Sequence, residues 1–400
     1  MNSRFSIFRQ FLQGAKLGIK RFLKPLLPLY RRLRRAVYFL SWMIPPLMQL
    51  IRRTSGVKRR ILIVYDTSSQ PFSLGDILIA QEASLILCQR HGIQKVDFVV
   101  LFDPHSPASS DPVFKAINQE NAFYHLASIL PIAQVNPNLG SLMVLNSAEQ
   151  LSRLITDNRD VYEVWPSAWT QGTRQYLSPQ IFNTLLHEHY QQHGSIPQLT
   201  CRPFLRKWAT VFFETHAAKR VPITVNIRNN KSFHQHRNSH LAAWTAFFAD
   251  CEQRYPATFI VICALSEVEE QLRHLPNVVI AKEQGTSIEQ DMALIQGAAI
   301  HMGVGSGPAT MAWFNDKPYL MVNTDYRQDP FFQHDGMVEI MDDGLQRFWF
   351  SQPAQSVAAG RESLELLAAQ FAKMWLCVNP QDWTSADHRS EHDGVSSWLR

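Results

Sequence analysis

This chain lacks most of the short motifs that mark a metal, thiol or nucleotide enzyme. Its five cysteines, Cys88, Cys201, Cys251, Cys263 and Cys377, are scattered, odd in number and include no CxxC pair. That usage gives neither a zinc ribbon nor a disulfide framework, and it fits a reducing cytosol. There is no GxxxxGK[ST] loop, no GxSxG nucleophile elbow and no HExxH helix. P-loop hydrolysis, serine-hydrolase chemistry and zinc proteolysis are therefore not expected. A DxD triplet of the kind that holds a metal-bound nucleotide sugar is also missing, and the glycine run 303–307 is not GxGxxG, so a nicotinamide cofactor is not expected. His187, His189 and His193 stand close together, but without a nearby cysteine they read as a surface histidine cluster. Internal repeats and low-complexity tracts are absent. Only 18% of the 400 residues are charged and 46% are hydrophobic, enough for sizeable cores and two domains.

Acidic residues are missing from one end. Residues 1–60 hold fifteen Lys or Arg and no Asp or Glu, which leaves 24 basic against 34 acidic residues in the rest of the chain. Phe5, Phe8, Leu12, Ala15, Ile19 and Phe22 recur at helical steps, with Arg9, Lys16, Lys20, Arg21 and Lys24 between them. This is the pattern of an interfacial helix. Pro25 and Pro28 break it, and an apolar run of 16 residues, 36–51, follows with Pro45-Pro46 inside it. A spanning helix needs about 20 apolar residues. No small-residue cleavage site follows the run. The expectation is a monotopic anchor over residues 1–56 on the cytoplasmic face of the inner or plasma membrane, with a short signal anchor as the rival. An anionic membrane surface is the expected partner, and nucleic acid is not.

From residue 57 the pattern changes to alternating strands and helices. ILIVY (61–65) reads as a buried strand, 77–91 as a helix and VDFVVLF (96–102) as a second strand, a βαβ unit with parallel strands. Further strands are expected at 141–146 and 161–165, and helices at 182–192 and 204–219. A second unit restarts with PITVNI (222–227), a helix over 241–254, strands at 258–264 and 278–281 around a short helix over 267–274, and a capping box at 286–289. The domains expected are an arm over 1–56, a Rossmann-like domain over 57–200, a second over 201–378, and a polar tail over 379–400. Ligands in such sheets bind outside the carboxyl ends of the strands. Asp66, Ser68, Ser69, Ser73, Gly75 and Asp76 fall there in the first unit. Asp76 sits at a helix start, where a carboxylate can take a proton from a sugar hydroxyl or simply favour the helix dipole. In the second unit, Arg228, Lys231 and Arg237 follow a strand directly, which suits either a phosphate clamp or surface solubility.

The most informative stretch is IHMGVGSGPATMAWFNDKPYLMVN, residues 300–323. It reads as strand, glycine turn, short helix and strand. Gly303, Gly305 and Gly307 are expected at positive φ and close to a ligand. Ser306 is expected to cap a helix opening at Gly307-Pro308, where free N–H groups suit a phosphate.

On these residues the chain resembles glycosyltransferases of the GT-B fold. SLGDILIAQEASLILCQRHG, residues 73–92, resembles the first loop and helix of heptosyltransferase-like enzymes, where a Gly-Asp pair opens the acceptor side. Residues 299–323, with GSGP and KPYLMVN, resemble the nucleotide-sugar loop of several GT-B groups. An Arg-Asn pair, here Arg237-Asn238, accompanies a late SGP loop in one such bacterial group. The resemblance runs over 57–378. It implies two Rossmann-like α/β domains facing a cleft and metal-independent transfer of a sugar from a nucleotide-diphosphate donor. A lipid-linked or glycan acceptor in envelope polysaccharide synthesis is implied with it. Asp76 would be the catalytic base. Arg228, Lys231, Gly305, Ser306 and Gly307 would bind the donor diphosphate. Gly75, Arg237, Asn238, Pro308 and Asn323 would be further donor or acceptor contacts. Heptosyltransferase-like enzymes carry an acidic residue and a histidine around the late glycine loop, whereas Pro308-Ala309-Thr310 stands here, against a heptose donor. A polysaccharide pyruvyltransferase, a nucleotide-sugar epimerase and a non-catalytic membrane-bound assembly protein remain alternatives.

Overall fold

A computed structural model describes residues 58–70, 73–103, 105, 118–172, 179–217, 219–231, 235–323, 340–342, 344, 346–358 and 360–378. The expected membrane arm and polar tail lie outside these residues. Among the described residues, no helix is long and apolar enough to cross a membrane.

Long apolar runs decide the architecture. RILIVYD forms β1 (Arg60–Asp66), VDFVVL forms β2 (Val96–Leu101), and both are buried on two faces. A strand of that kind belongs inside a parallel sheet covered by helices. β3 (Leu139–Leu145) and β4 (Tyr162–Trp165) complete the first sheet, in the order β3-β2-β1-β4, all parallel. α1 (Leu74–His91), α2 (Ala122–Ala133) and α4 (Pro179–His193) lie on one face. α3 (Ala148–Asp157) covers the other, over Leu62, Val64, Val99 and Leu101.

α5 (Pro203–His216) leads to the second sheet. Its strands are β5 (Val221–Asn226), β6 (Ala257–Ile262), β7 (Val278–Ile280), β8 (Ile300–Val304), β9 (Tyr319–Val322) and β10 (Gln355–Val357). They are parallel in the order β10-β9-β8-β5-β6-β7. α6 (Leu241–Arg254) and α10 (Leu364–Trp375) cover the outer face, with Trp244, Phe247, Phe248 and Phe371 fully buried. α8 (Ile288–Gly297), α9 (Ala309–Trp313) and α5 lie on the inner face and share one apolar core with α1, α2 and α4 of the first lobe. The fold is thus α/β with two parallel sheets, each doubly wound, joined through a common helical layer.

Several boundaries differ from the sequence reading. α1 begins at Leu74, three residues early, because Ser73 takes the N-cap position and Gly75 and Asp76 enter the first turn. α5 stops at His216, ahead of Lys219 at φ 72°. The helix expected over 267–274 is a 3₁₀ turn, Leu265–Glu267, and a single-turn α7, Glu270–Arg273. The N3 partner at the start of α8 is Gln290, one residue on from the expected box, and its side chain accepts the Ser287 N–H at 2.8 Å. His189 is buried at 2% exposure rather than on the surface, its ring 4.3 Å from that of His193. Among the described residues no cluster of His, Cys, Asp or Glu is arranged to hold a metal.

Candidate active site

The strand order places the site. In the second sheet the chain steps from β5 outward to β6 and β7, then returns to β8 on the other side of β5. Ligands bind beyond the carboxyl ends of strands at such a reversal. Asn226 pairs with Gly303 in the β5–β8 register. Two residues further along each strand stand Arg228 and Gly305, and adjacent strands lie about 4.8 Å apart. The cationic loop and the glycine loop expected from the sequence therefore emerge side by side.

Side chains tie the two loops together. Arg237 donates from Nη2 to the Gly305 carbonyl. The Asn230 N–H donates to Asn238 Oδ1 at 3.0 Å, and Asn238 Nδ2 donates to the Asn230 carbonyl at 2.8 Å. The amide of Asn238 is thus spent inside its own loop. Arg228 N donates to Ser239 Oγ at 3.0 Å, and Ser239 N returns a bond to the Arg228 carbonyl at 2.8 Å. Asn323 follows β9 at φ 51° and donates to the Asn238 carbonyl at 3.1 Å, so it braces the loop from the far side. Burial lowers the Arg228 guanidinium from its ordinary value, and the nearby Glu267 carboxylate works in the opposite direction. Lys231 is exposed.

The glycine loop is built differently from the expectation. Of its three glycines only Gly303 has positive φ, 152°, and a Cβ there would stand 2.7 Å from the Asn226 carbonyl. Gly305 and Gly307 do not share that backbone region. Gly307 is required for contact: a Cβ would stand 2.9 Å from Leu74 Cβ and 3.1 Å from Gly75 N. Ser306 does not cap α9. Successive backbone turns, Ala309 N to Ser306 O at 3.0 Å and Thr310 N to Gly307 O at 3.2 Å, open the helix instead, with Pro308 at the cap position. These turns leave the Ser306 hydroxyl buried without a hydrogen-bond partner. α9 is a single short turn, so local N–H groups matter here more than a macrodipole.

The first lobe meets this loop directly. Gly75 packs on the other side of the same contact, where a Cβ would lie 3.1 Å from Thr310 Oγ1 and 3.5 Å from the Gly307 Cα. Asp76, half-buried, is the next residue of α1. Asp66, Ser68 and Ser69 serve the turn that leads there. Ser68 donates to Asp66 Oδ1 from N at 3.0 Å and from Oγ at 2.7 Å. Such a side chain–backbone turn redirects a chain leaving a strand.

Two acids beside the cationic loop did not stand out in the sequence. Glu267 accepts the Asn229 N–H at 3.0 Å, and Glu269 accepts from Asn229 Nδ2. Both follow β6, the direct neighbour of β5, so they share the same edge. Their position after a strand was the available signal; reading 267–274 as one helix hid it.

Two doubly wound lobes, meeting where α1 touches the glycine loop, have the architecture of the GT-B fold. A glycosyl transferase of family 9 from Veillonella parvula DSM 2008 is similar over 81% of this chain and 99% of its own, with TM-score 0.52 and 11% identity. The ADP-heptose LPS heptosyltransferase II of E. coli is similar over 80% of this chain and 99% of its own, with TM-score 0.50 and 11% identity. At that identity the likeness establishes the fold. No protein-family model and no curated protein sequence matches the chain.

Proposed function

We propose that this protein is a glycosyltransferase that moves a sugar from a nucleotide-diphosphate donor to a membrane-linked glycan or lipid acceptor. The observation that carries the reading is the contact of Leu74 and Gly75 with Gly307 and Thr310. It sets the helix turn bearing Asp76 against the loop proposed to hold the donor diphosphate. In this reading Arg228 and Lys231 supply cations, and the Gly305–Gly307 backbone supplies N–H groups, to the leaving diphosphate. Arg237 and Asn238 keep the two loops in register, and Asn323 and Pro308 fix their ends. Asp76 takes the proton of the acceptor hydroxyl as that oxygen attacks the anomeric carbon and the bond to the diphosphate breaks. No resident metal is assigned a part. The acidic body with a basic, apolar-striped arm suits an enzyme held at the cytoplasmic face of a membrane. Residues 57–200 and 201–378 are the proposed acceptor and donor domains.

The test is turnover of a nucleotide sugar found by thermal shift, since a ligand of the folded state raises its melting temperature by mass action. Asp76→Asn should keep the ligand-induced shift and lose transfer by about 10²-fold or more. Wild-type transfer by Asp76→Asn would remove the base from the mechanism.

A further inference from the structure

Glu362 lies between β10 and α10 and is buried at 2% exposure. One carboxyl oxygen, Oε1, accepts the His240 N–H and the Trp244 indole N–H, each at 3.2 Å. The other, Oε2, is buried with no hydrogen-bond partner. The Glu362 carbonyl stands 3.1 Å from His240 Nδ1. His240 takes the N-cap position of α6, and Trp244 follows one turn later. A single carboxylate oxygen therefore holds the first turn of that helix.

Stability alone is a poor reason for this group. A buried carboxylate with one bare oxygen carries a desolvation cost that an apolar residue of similar size avoids. Its hydrogen bonds instead fix where α6 begins, and the cationic loop ends there. Ser239, the residue before His240, exchanges two hydrogen bonds with Arg228, through Arg228 N to Ser239 Oγ at 3.0 Å and Ser239 N to the Arg228 carbonyl at 2.8 Å. The turn after β10 reaches the same loop a second way. Asn323 N donates to the Gly360 carbonyl at 3.0 Å, and Asn323 Nδ2 donates to the Asn238 carbonyl at 3.1 Å. Residues 360 and 362 thus hold residues 238 and 240, on either side of the serine that pins Arg228.

We propose that Glu362 is a positioning residue for Arg228: it anchors the end of the cationic loop so that the guanidinium stands ready for the donor diphosphate. The assignment rests on the transferase reading, in which Arg228 meets that diphosphate. Glu362 acts through His240 and Ser239 and needs no contact with the donor. A loop already held in place loses less freedom on binding, and affinity is higher for it.

The test uses the full chain, with ADP, GDP and UDP as probes and calorimetry as the readout. Glu362→Ala should weaken the probe that binds the wild type by about tenfold. Glu362→Gln keeps an oxygen for both N–H groups and should bind within roughly twofold of the wild type. Added to Arg228→Ala, Glu362→Ala should cost no further affinity, because a residue that acts only through Arg228 is silent once that side chain is gone. Ser239→Ala breaks the next link while leaving Trp244 its partner. It should weaken the same probe, and it carries the test if Glu362→Ala does not fold. Amide hydrogen exchange without ligand reads the loop itself: Glu362→Ala, or Ser239→Ala in its place, should speed exchange over 228–240 and leave β1 unchanged. Wild-type affinity in Glu362→Ala, an equal loss in Glu362→Gln, or the full loss repeated on Arg228→Ala overturns the proposal. So does unchanged exchange over 228–240. Should the wild type bind none of the probes while exchange changes as expected, the transferase reading falls and the anchoring of Arg228 by Glu362 stands.

Discussion

Leu74 leaves Gly307 no room for a side chain: a Cβ on Gly307 would stand 2.9 Å from the Leu74 Cβ. One residue comes from the first turn of the first lobe and the other from the glycine loop of the second. Their contact ties the shape of the proposed donor site to the packing of the two lobes.

Gly307→Val should consequently act on both. The added methyls meet Leu74 Cβ and the Gly75 backbone, and overpacking of this kind costs about 1–3 kcal/mol. Chemical denaturation should show that loss, and donor binding should weaken in the fraction that stays folded. A variant with unchanged stability and binding would mean that the loop yields freely at this point.

Arg237 is predicted to act through the loop. Its guanidinium donates to the Gly305 carbonyl, so Arg237→Ala frees that end of the glycine loop. A hydrogen bond from a charged group is worth about 1.5–3 kcal/mol, and part of that should appear as donor affinity weakened by about tenfold. Calorimetry on the variant reads it directly.

Much of this arrangement was legible in the sequence. The runs ILIVY and VDFVVLF could only be strands buried on both faces, and the switch to PITVNI announced a second sheet. That Arg228 and Gly305 each follow the carboxyl end of a strand was readable from the βαβ order. Three features did not follow. Ser306 has the composition of a cap, but backbone turns at 306–311 open α9 in its place. Gly307 reads as a turn glycine at positive φ, but what requires glycine there is a close approach by Leu74, some 230 residues away in sequence. Glu267 is placed beside the cationic loop only once β6 is known to lie next to β5.

Glu82 gives a stability prediction independent of the site. It is fully buried on α1 and neither carboxyl oxygen has a hydrogen-bond partner. Burial raises its pKa well above the usual carboxyl value, so its contribution is fully present below about pH 4.5 and is lost as pH rises through the folded pKa. Replacing an unpartnered buried polar group by an apolar one of similar size removes a cost of about 1–3 kcal/mol. Glu82→Met should therefore be the more stable protein at pH 7, by a margin that shrinks at pH 4, as read by urea unfolding.

His301 runs the other way. Its Nδ1 shares a hydrogen bond with Thr224 Oγ1 at 3.0 Å inside the second sheet, and burial holds its pKa down to about 3, against 6.5 ordinarily. The unfolded chain binds the proton more readily. The stability from this site is complete above pH 6.5 and declines as pH falls toward 3. Between pH 7 and pH 5 the wild type should lose about 2 kcal/mol that His301→Gln does not lose. Parallel pH dependence in the two proteins would contradict the assignment.

The most direct measurement is a calorimetric titration of the full chain with a panel of nucleoside diphosphates, repeated on Arg228→Ala. One member of the panel should bind the wild type with a single site, and the affinity should fall by about 10- to 100-fold when the guanidinium is removed. Binding by none of them, or equal affinity in both proteins, would contradict a diphosphate site between the loop after β5 and the glycine loop after β8.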